Sequence, residues 1–285
     1  KELTTYKNVR STIKDLIKFE SEQYSLDYEL IGNKFATDFR NMLQPRDGVR
    51  IKDVTLNKKL KHIKMFMKWS EKQGFHTATN YKGIESTKVT SRGVKYALTL
   101  DELNKFKELD LSNKRHLERA RDVFVFGCEI GQRFSDYRRV SKKHLRLDSD
   151  FKHIRIKQKK TSKDVIIPLT SDALMILEKY DFKLPVIKEP VLNRYLKAIG
   201  KEAGLIEEIE TYSQIAGKDY SELKPKFEFI STHTARRTFA TLKVKEGVPT
   251  DVIMMVTGHT TESSFNEYVN RSESEKLETL KKYML

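Results

Sequence analysis

Three short stretches of the sequence carry side chains that could act on a phosphate group. In "GCEIGQRFSD" Arg133 follows shortly after a glycine, in "STHTARRTFA" His233 and Arg236 are three residues apart, and in "VTGHTTESSFNEYVN" His259 precedes Tyr268 by nine residues. A guanidinium binds two phosphate oxygens at once and keeps its charge. A tyrosine hydroxyl can attack as a nucleophile. Together these residue types fit cleavage of a phosphodiester.

The His-x-x-Arg pair lies at the start of a predicted helix. Ser231 or Thr232 can cap that helix, which puts His233 and Arg236 on one face of its first turn, where backbone N–H groups also favour an anion. The spacing alone is weak evidence, because the stretch "HLER" of residues 116–119 repeats it as an ordinary surface pair. The functional interpretation therefore depends on the other stretches.

A metal site is not expected. His233 and His259 lack a nearby third ligand at a recognised zinc spacing. The lone Cys128 lies among core-type residues and is interpreted as a buried thiol in a reducing compartment. We interpret the remaining histidines as surface or backbone-contacting residues: His62, His76, His116, His144 and His153.

Charge favours a polyanionic partner. The 285 residues include 55 Lys and Arg against 40 Asp and Glu, a net charge of +15. Residues 1–97 carry net +9 of this surplus, with 20 basic and 11 acidic side chains. Such an excess favours nucleic acid through release of condensed counterions. No apolar run approaches the roughly 18 residues of a membrane span, so no membrane partner is expected.

The first third of the chain predicts a small basic helical bundle. One helix has an apolar stripe at Tyr6, Val9, Ile13, Leu16 and Ile17. A second helix ends at Gly74 and has its stripe at Leu56, Leu60, Ile63 and Met67. Lysines occupy the opposite faces of both helices.

The rest of the chain mixes helix and strand. The stretch "TLDE" forms a capping box at Thr99, and residues 151–169 predict two strands around a Thr-Ser-Lys turn. Ser135 and Asp136 can cap the helix after Arg133, and Ser171 can cap another. These signals indicate a second domain.

The combined constellation resembles the tyrosine recombinase family, the phage and transposon integrases. The resemblance is carried by Arg133, His233-x-x-Arg236, Gly258-His259 and Tyr268, in this order and spacing. It implies an α+β, mainly α fold, with an N-terminal helical core-binding bundle and a mixed α/β catalytic domain containing a small β-sheet. The expected parts are residues 1–80 (core-binding domain), 81–98 (linker), 99–268 (catalytic domain) and 269–285 (tail helix).

The resemblance also points to a lysine on the predicted hairpin. The family's hairpin lysine lies eight residues before the proline of a "PL" dipeptide, and Lys160 lies eight before Pro168. Strand alternation places Lys160 on the face of Ile154 and Ile156. Lys159 is the alternate.

The resemblance implies a mechanism that needs no metal, cofactor or ATP. Tyr268 would form a 3′-phosphotyrosine bond and release a 5′-hydroxyl, with Tyr283 as the nearest rival. Arg133 and Arg236 would hold the charge that develops on the phosphate.

The remaining site residues would manage protons and orientation. Lys160 would protonate the leaving 5′-oxygen, His233 would accept the tyrosine proton or donate to the phosphate, and His259 would donate to the phosphate. Asp136 would orient a helix or an arginine. Four residues depart from the usual family pattern: Gln132 and Thr257 replace apolar residues, Asp136 replaces Glu, and Arg237 stands where His is frequent.

The expected function is site-specific recombination of a mobile element. Double-stranded DNA would be the substrate, bound by a homo-oligomer of two to four subunits with an accessory DNA-bending protein, at the nucleoid in a bacterial cytoplasm. The alternatives are a type IB topoisomerase and a non-catalytic DNA-binding protein. The tail, residues 269–285, would cover its apolar stripe on its own domain or on a neighbouring subunit.

Overall fold

The computed structural model describes residues 2–45, 48, 50–89, 93–147, 151–269 and 281. The chain is mainly helical with small antiparallel sheets, which confirms the predicted fold class. It divides into two compact units, one of residues 1–93 and 210–222, the other of residues 94–209 and 223–285. Most of the predicted tail lies outside the described residues.

The elements follow one another along the chain as a set of helices interrupted by two groups of strands. The helices are α1 (Glu2–Glu22), α2 (Asn33–Leu43), α3 (Asp53–Lys72), α4 (Leu100–Glu108), α5 (Arg115–Ile130), α6 (Phe134–Tyr137), α7 (Ser171–Lys179), α8 (Glu189–Glu202), α9 (Thr232–Lys245), α10 (Thr250–Thr257) and α11 (Glu262–Asn266). The strands are β1 (Leu145–Arg146), β2 (His153–Lys157), β3 (Asp164–Pro168), β4 (Glu208–Ile215) and β5 (Lys218–Pro225).

The first unit packs α1, α2 and α3 around an aromatic and aliphatic core. Phe19, Phe35 and Phe39 contact one another at ring-centroid distances of 5.1 to 5.9 Å. The predicted stripe of α3 is confirmed, because all four of its members are buried in this core: Leu56, Leu60, Ile63 and Met67.

The predicted stripe of α1 is wrong in part. Tyr6, Ile13 and Ile17 are 61%, 49% and 62% exposed, whereas Thr12 and Phe19 are buried. The Thr12 hydroxyl lies 3.0 Å from the His62 Nδ1 of α3, so a polar position is buried because it has a hydrogen-bond partner.

The turn of the hairpin formed by β4 and β5 packs within the first unit. The backbone N–H groups of Ala216 and Gly217 donate to the Asp53 carboxylate at 3.0 and 2.9 Å. Asp53 is fully buried and also accepts from the Gln44 amide at 2.6 Å. This buried carboxylate places residues 210–222 in the first unit.

The second unit is built on α5, which packs against α7, α8 and α9. A side chain at Gly127 would meet the Tyr137 ring at 2.9 Å and Ala235 at 3.1 Å, so the glycine allows α5 and α9 to approach closely. The antiparallel sheet in the order β1-β2-β3 covers one side of this core with Ile154 and Ile156. No described helix has the length and apolarity that a membrane span requires.

The helix caps agree with the caps predicted from the sequence at some positions and differ from them at others. Thr99 forms the predicted capping box. Thr170 rather than Ser171 caps α7, accepting from the Ala173 N–H at 3.2 Å. Arg133 occupies the N-cap position of α6, and Asp136 lies inside that helix.

Candidate active site

Two glycines end the helices that lead into the site. Gly131 ends α5 and Gly258 ends α10 in the left-handed region, at φ of 65° and 71°. A Cβ on Gly258 would lie 2.3 Å from the Gln158 amide oxygen. Glycine is therefore required at Gly258, and the two turns place Arg133 and His259 directly after the helix ends.

Arg236 lies at the centre of the site, near the start of α9. Its side chain is fully buried. Nη1 donates to the carbonyl oxygens of Gly131 at 3.1 Å and Thr257 at 2.5 Å, so the carboxyl ends of two helices hold the cation. Burial lowers the pKa of Arg236 to about 10, which leaves the guanidinium charged at neutral pH.

Two histidines flank this guanidinium. His259 Nε2 lies 2.9 Å from Arg236 Nη2, and its Nδ1 lies 2.8 Å from the Thr257 hydroxyl. Burial, and then the charge of Arg236, lower the pKa of His259 to about 3. Burial, and then the charge of Arg237, lower the pKa of His233 to about 4. Both rings are neutral at neutral pH.

Tyr268 lies against the same cluster, in the turn that follows α11. Its ring centroid is 4.6 Å from that of His259 and 5.0 Å from that of His233. The Arg236 Cζ atom lies 5.3 Å from the tyrosine ring centroid. The Tyr268 backbone N–H donates to the Phe265 carbonyl at 2.7 Å. The structure thus brings together four of the six predicted site residues in direct contact.

Arg133 adds a second cation beside this cluster. Its side chain is half-buried, and Nη1 lies 3.5 Å from the Gln158 amide oxygen. Its charge is close enough to lower the pKa of both Arg236 and His259. Two guanidinium groups held close together suit the binding of a phosphate group.

Lys160 is exposed in the turn between β2 and β3. The buried face of Ile154 and Ile156 continues to Gln158, but β2 ends at Lys157 and residues 159–161 form a turn, so the strand alternation does not extend to Lys160. The charge of Lys160 nevertheless contributes to lowering the pKa of His233. The structure places the lysine near the cluster without packing it there.

A buried network of amide side chains fixes the base of this turn. The sequence analysis did not predict it. Gln158 Nε2 donates to the Gln132 side-chain oxygen at 2.7 Å and to the Thr257 carbonyl at 2.8 Å. The Thr161 hydroxyl donates to the Gln158 oxygen at 2.6 Å. Gln132 Nε2 donates to the Val256 carbonyl at 2.7 Å. The available signal was the polar departure at Gln132, whose side chain belongs to the network, whereas Thr257 contributes only its backbone carbonyl.

Asp136 fixes the other side of the same turn. Its buried carboxylate accepts from the Lys159 backbone N–H at 2.9 Å and from Arg139 Nη2 at 3.2 Å. Arg139 also donates to the Lys157 carbonyl. This carboxylate therefore holds the turn rather than facing the tyrosine.

The remaining histidines have ordinary partners. His76 Nε2 lies 3.0 Å from the Met67 carbonyl, and His153 Nδ1 lies 2.8 Å from the Phe151 carbonyl. Within the described part of the chain, no group of three His, Cys, Asp or Glu side chains is arranged to hold a metal ion. Cys128 is buried as predicted, and burial raises the pKa of its thiol.

Comparisons with known proteins agree with this geometry. The model of the Phage integrase family matches residues 97–275. A Tyrosine recombinase of Pseudothermotoga lettingae is 23% identical over 239 residues, which are 84% of this chain and 78% of the relative. Tyrosine recombinase XerC of Thermodesulfovibrio yellowstonii is 25% identical over 227 residues, or 76% of this chain and 71% of the relative.

Solved structures share the fold. A lambda integrase (75–356) dimer bound to a COC′ core site superposes with a TM-score of 0.70 at 17% identity, over 95% of this chain and 89% of that one. XerH site-specific recombinase bound to a palindromic difH substrate, in a post-cleavage complex, gives 0.69 at 14% identity, over 99% and 81%. Because the family model covers more than half of the sequence, the chain belongs to the phage integrase family and is a site-specific tyrosine recombinase that cleaves and rejoins DNA strands.

Proposed function

We propose that this recombinase integrates or excises a mobile genetic element through a 3′-phosphotyrosine bond formed by Tyr268. The observation that carries the proposal is the packing of the Tyr268 ring against His233, His259 and the buried Arg236. A phosphate at this cluster would meet a nucleophile, two proton carriers and a fixed cation. The role of a mobile element follows from the family resemblance alone.

The arginines suit the charge that develops during cleavage. Attack on a phosphodiester places extra negative charge on the non-bridging oxygens, which preorganised cations stabilise. Arg236 Nε is buried and has no hydrogen-bond partner among the described residues. A buried donor without a partner is costly, and a phosphate oxygen would satisfy it. Arg133 supplies the second guanidinium.

The proton transfers fall to the neutral histidines and the lysine. Because the pKa of His233 is lowered to about 4, this ring is free to accept the tyrosine proton at neutral pH. Lys160 is exposed on its turn and would reach the leaving 5′-oxygen as general acid. The energy of the broken bond stays in the phosphotyrosine, so rejoining needs no ATP or cofactor.

The first unit offers a basic surface for the DNA backbone. A groove of about 980 Å³ beside α3 is lined by three exposed lysines of that helix, Lys58, Lys61 and Lys68. Lys64 and Lys82 also line it, but Lys64 donates to the carbonyls of Lys82 and Ile84 and Lys82 is paired with Glu71. We assign the core-binding role to this surface.

Recombination of two sites requires more than one subunit. Among the solved structures of this fold are a lambda integrase dimer on a core site and a tetramer on a Holliday junction. We propose that this chain likewise assembles as a dimer to tetramer on duplex DNA, at the bacterial nucleoid and with an accessory DNA-bending protein. The tail from residue 269 would link neighbouring subunits.

Trapping of the covalent intermediate tests the proposal. The substrate is a duplex that carries a binding sequence selected from a random pool and a nick near its centre. After cleavage the short strand next to the nick dissociates, so the cleaved strand cannot be rejoined. Wild-type protein should then form a denaturation-resistant adduct. Tyr268→Phe should abolish the adduct and leave duplex binding intact, because it removes only the nucleophilic oxygen. Tyr283→Phe is the matched control, and an adduct that persists in Tyr268→Phe would mean that another residue is the nucleophile.

A further inference from the structure

Arg237 is a second arginine of α9, directly after Arg236, and its side chain is half-buried. Its Nε is buried and has no hydrogen-bond partner among the described residues. A buried donor without a partner is costly, and a guanidinium keeps its charge at neutral pH. The side chain of Arg237 is therefore available to an anion that forms during the reaction.

The face of α9 that carries Arg237 packs against the segment of the tyrosine. Arg237 lies four residues after His233 and three before Ala240, so the three side chains share one face of the helix. The centroids of the His233 and Tyr268 rings lie 5.0 Å apart. Ala240 belongs to an apolar cluster with Phe265, against which Tyr268 packs. Arg237 thus lies between two positions of α9 that adjoin the tyrosine.

Electrostatics connect Arg237 with the same tyrosine. Burial lowers the pKa of Arg237, and among the described residues only the charge of an ionised Tyr268 opposes this effect. Arg236 also lies beside the tyrosine ring, but its Nη1 is already held by two backbone carbonyls. Arg237 is the less committed of the two guanidinium groups.

Negative charge develops at two places when a phosphodiester is exchanged with a tyrosine. On the proposed function, Arg133 and Arg236 stabilise the non-bridging oxygens of the phosphate. The second place is the Tyr268 oxygen, which gives up its proton when it attacks and keeps an electron pair when it leaves. A cation held beside that oxygen would stabilise its charge in both directions.

We propose that Arg237 is a further catalytic residue, which donates to the Tyr268 oxygen and stabilises its phenolate form. In cleavage, the phenol proton passes to His233, the Tyr268 oxygen bonds to phosphorus, and the 5′-oxygen leaves with a proton from Lys160. In rejoining, a 5′-hydroxyl gives its proton to Lys160 and bonds to phosphorus. The bond between phosphorus and the Tyr268 oxygen breaks, its electron pair stays on that oxygen, and the phenolate takes the proton back from His233.

Rejoining isolates the step in which the tyrosine leaves. Adduct prepared on the nicked duplex is mixed with an oligonucleotide that fills the gap and carries a 5′-hydroxyl, and rejoining is followed in a single turnover. Arg237→Gln should slow rejoining about 10²-fold, as for the loss of one charge-stabilising donor. Arg237→Lys should fall between this variant and the wild type, because it keeps the charge but not the fork of donors.

A charge-matched control lies further along the same helix. Lys243 is half-buried and pairs with Glu246 at 2.6 Å. Lys243→Gln removes one positive charge from α9, as Arg237→Gln does, and should rejoin at the wild-type rate.

A more acidic tyrosine distinguishes stabilisation of the phenolate from a structural role. A tyrosine fluorinated on both carbons beside the hydroxyl, placed at position 268, leaves with less help because its phenolate is more stable. The defect of Arg237→Gln relative to Arg237 should then shrink from about 10²-fold to less than about tenfold. A misplaced tyrosine or a lost phosphate contact would slow both forms of the tyrosine by the same factor.

The outcomes separate this inference from the proposed function on which it rests. If wild-type protein forms the adduct, a normal rate in Arg237→Gln or a defect that fluorination does not reduce would overturn the role of Arg237 and leave the recombinase proposal standing. If Arg237→Gln does not fold, Arg237→Lys makes the same comparison, and a defect unchanged by fluorination again overturns that role. If wild-type protein forms no adduct, both proposals fail.

Discussion

At the scale of single residues, Lys160 differs from the other five predicted catalytic side chains because it is exposed. If it protonates the leaving 5′-oxygen, Lys160→Ala should slow cleavage by about 10²- to 10⁴-fold. A substrate with a 5′-bridging sulfur should remove most of this defect, because a thiolate, whose pKa is about 8.5, leaves without a proton. Single-turnover cleavage of the two substrates provides the measurement.

The neighbouring lysine is the alternate, and its backbone is bound by Asp136. Lys159→Ala, measured on the same two substrates, decides between the two lysines. A defect in Lys159→Ala that sulfur rescues would move the role of general acid to Lys159. An unrescued defect in Lys160→Ala would show that this lysine acts on binding instead.

The lowered pKa values of the two site histidines predict a loss of stability in acid. His233 and His259 have folded pKa values of about 4 and about 3, below the ordinary value of 6.5. Above pH 6.5 both rings are neutral in the folded and the unfolded chain, so their contribution is fully present. Between pH 6.5 and about 4 the unfolded chain binds protons that the folded chain does not, and the free energy of unfolding falls.

Urea denaturation at about pH 7 and about pH 5 measures this effect. The double variant His233→Gln/His259→Gln lacks both groups, so its midpoint should fall less than that of the wild type over the same interval. Carboxylates are the same in both proteins, so they contribute equally to the change in the two midpoints and cancel in the comparison. Equal falls in the two proteins would contradict the buried, neutral state of these rings.

At the scale of elements, the turn between β2 and β3 depends on the buried Gln158 amide. Gln158→Leu removes its hydrogen bonds to Gln132 and Thr257 and leaves their oxygens without this donor. We expect a destabilisation of about 1–3 kcal/mol, together with faster hydrogen exchange in residues 158–163.

A second substitution makes this test specific. Gln132→Leu/Gln158→Leu replaces both partners by apolar side chains, and such a replacement costs less than leaving one polar group alone. The double variant should be less destabilised in urea than the sum of the two single variants. Additive losses would show that the two amides do not act as a pair.

The sequence predicted elements whose signals are local. The α3 stripe and the Thr99 capping box need only neighbouring residues, and both are confirmed. The cap expected from Asp136 is wrong, because its carboxylate is taken by the Lys159 backbone 23 positions away. Gln158 was missed for the same reason, since its partners come from α10 and from the loop before α6.

Two members of the cluster around Arg236 could be predicted because they follow helix ends marked by glycine. Arg133 and His259 come after Gly131 and Gly258, whose backbone conformation the residue type reveals. Spacing alone would have failed, because residues 116 and 119 repeat the His-x-x-Arg pattern on an exposed face of α5. Which pair is buried is decided by tertiary packing that one sequence does not contain.

At the scale of the whole molecule, the excess of positive charge belongs mainly to residues 1–97, with net +9 of +15. Each phosphate that a cation neutralises contributes about −0.9 to the slope of log K against log salt. If a clamp contacts about six or more phosphates, the slope should be near −5 or steeper. The slope counts phosphate contacts, so it depends on where the lysines lie and not only on how many there are.

A charge-matched pair of variants separates location from net charge. Lys58, Lys61 and Lys68 are exposed on α3, where they line the groove of the first unit. Changing all three to Gln should make the slope less steep by about 2 to 3, because about three phosphate contacts are lost. Changing the exposed Lys7, Lys14 and Lys18 of α1 to Gln removes the same charge and should alter the slope by less than about 1. Fluorescence anisotropy of a labelled duplex over a range of salt gives both slopes, and equal changes in the two variants would mean that the α3 groove does not contact the DNA backbone.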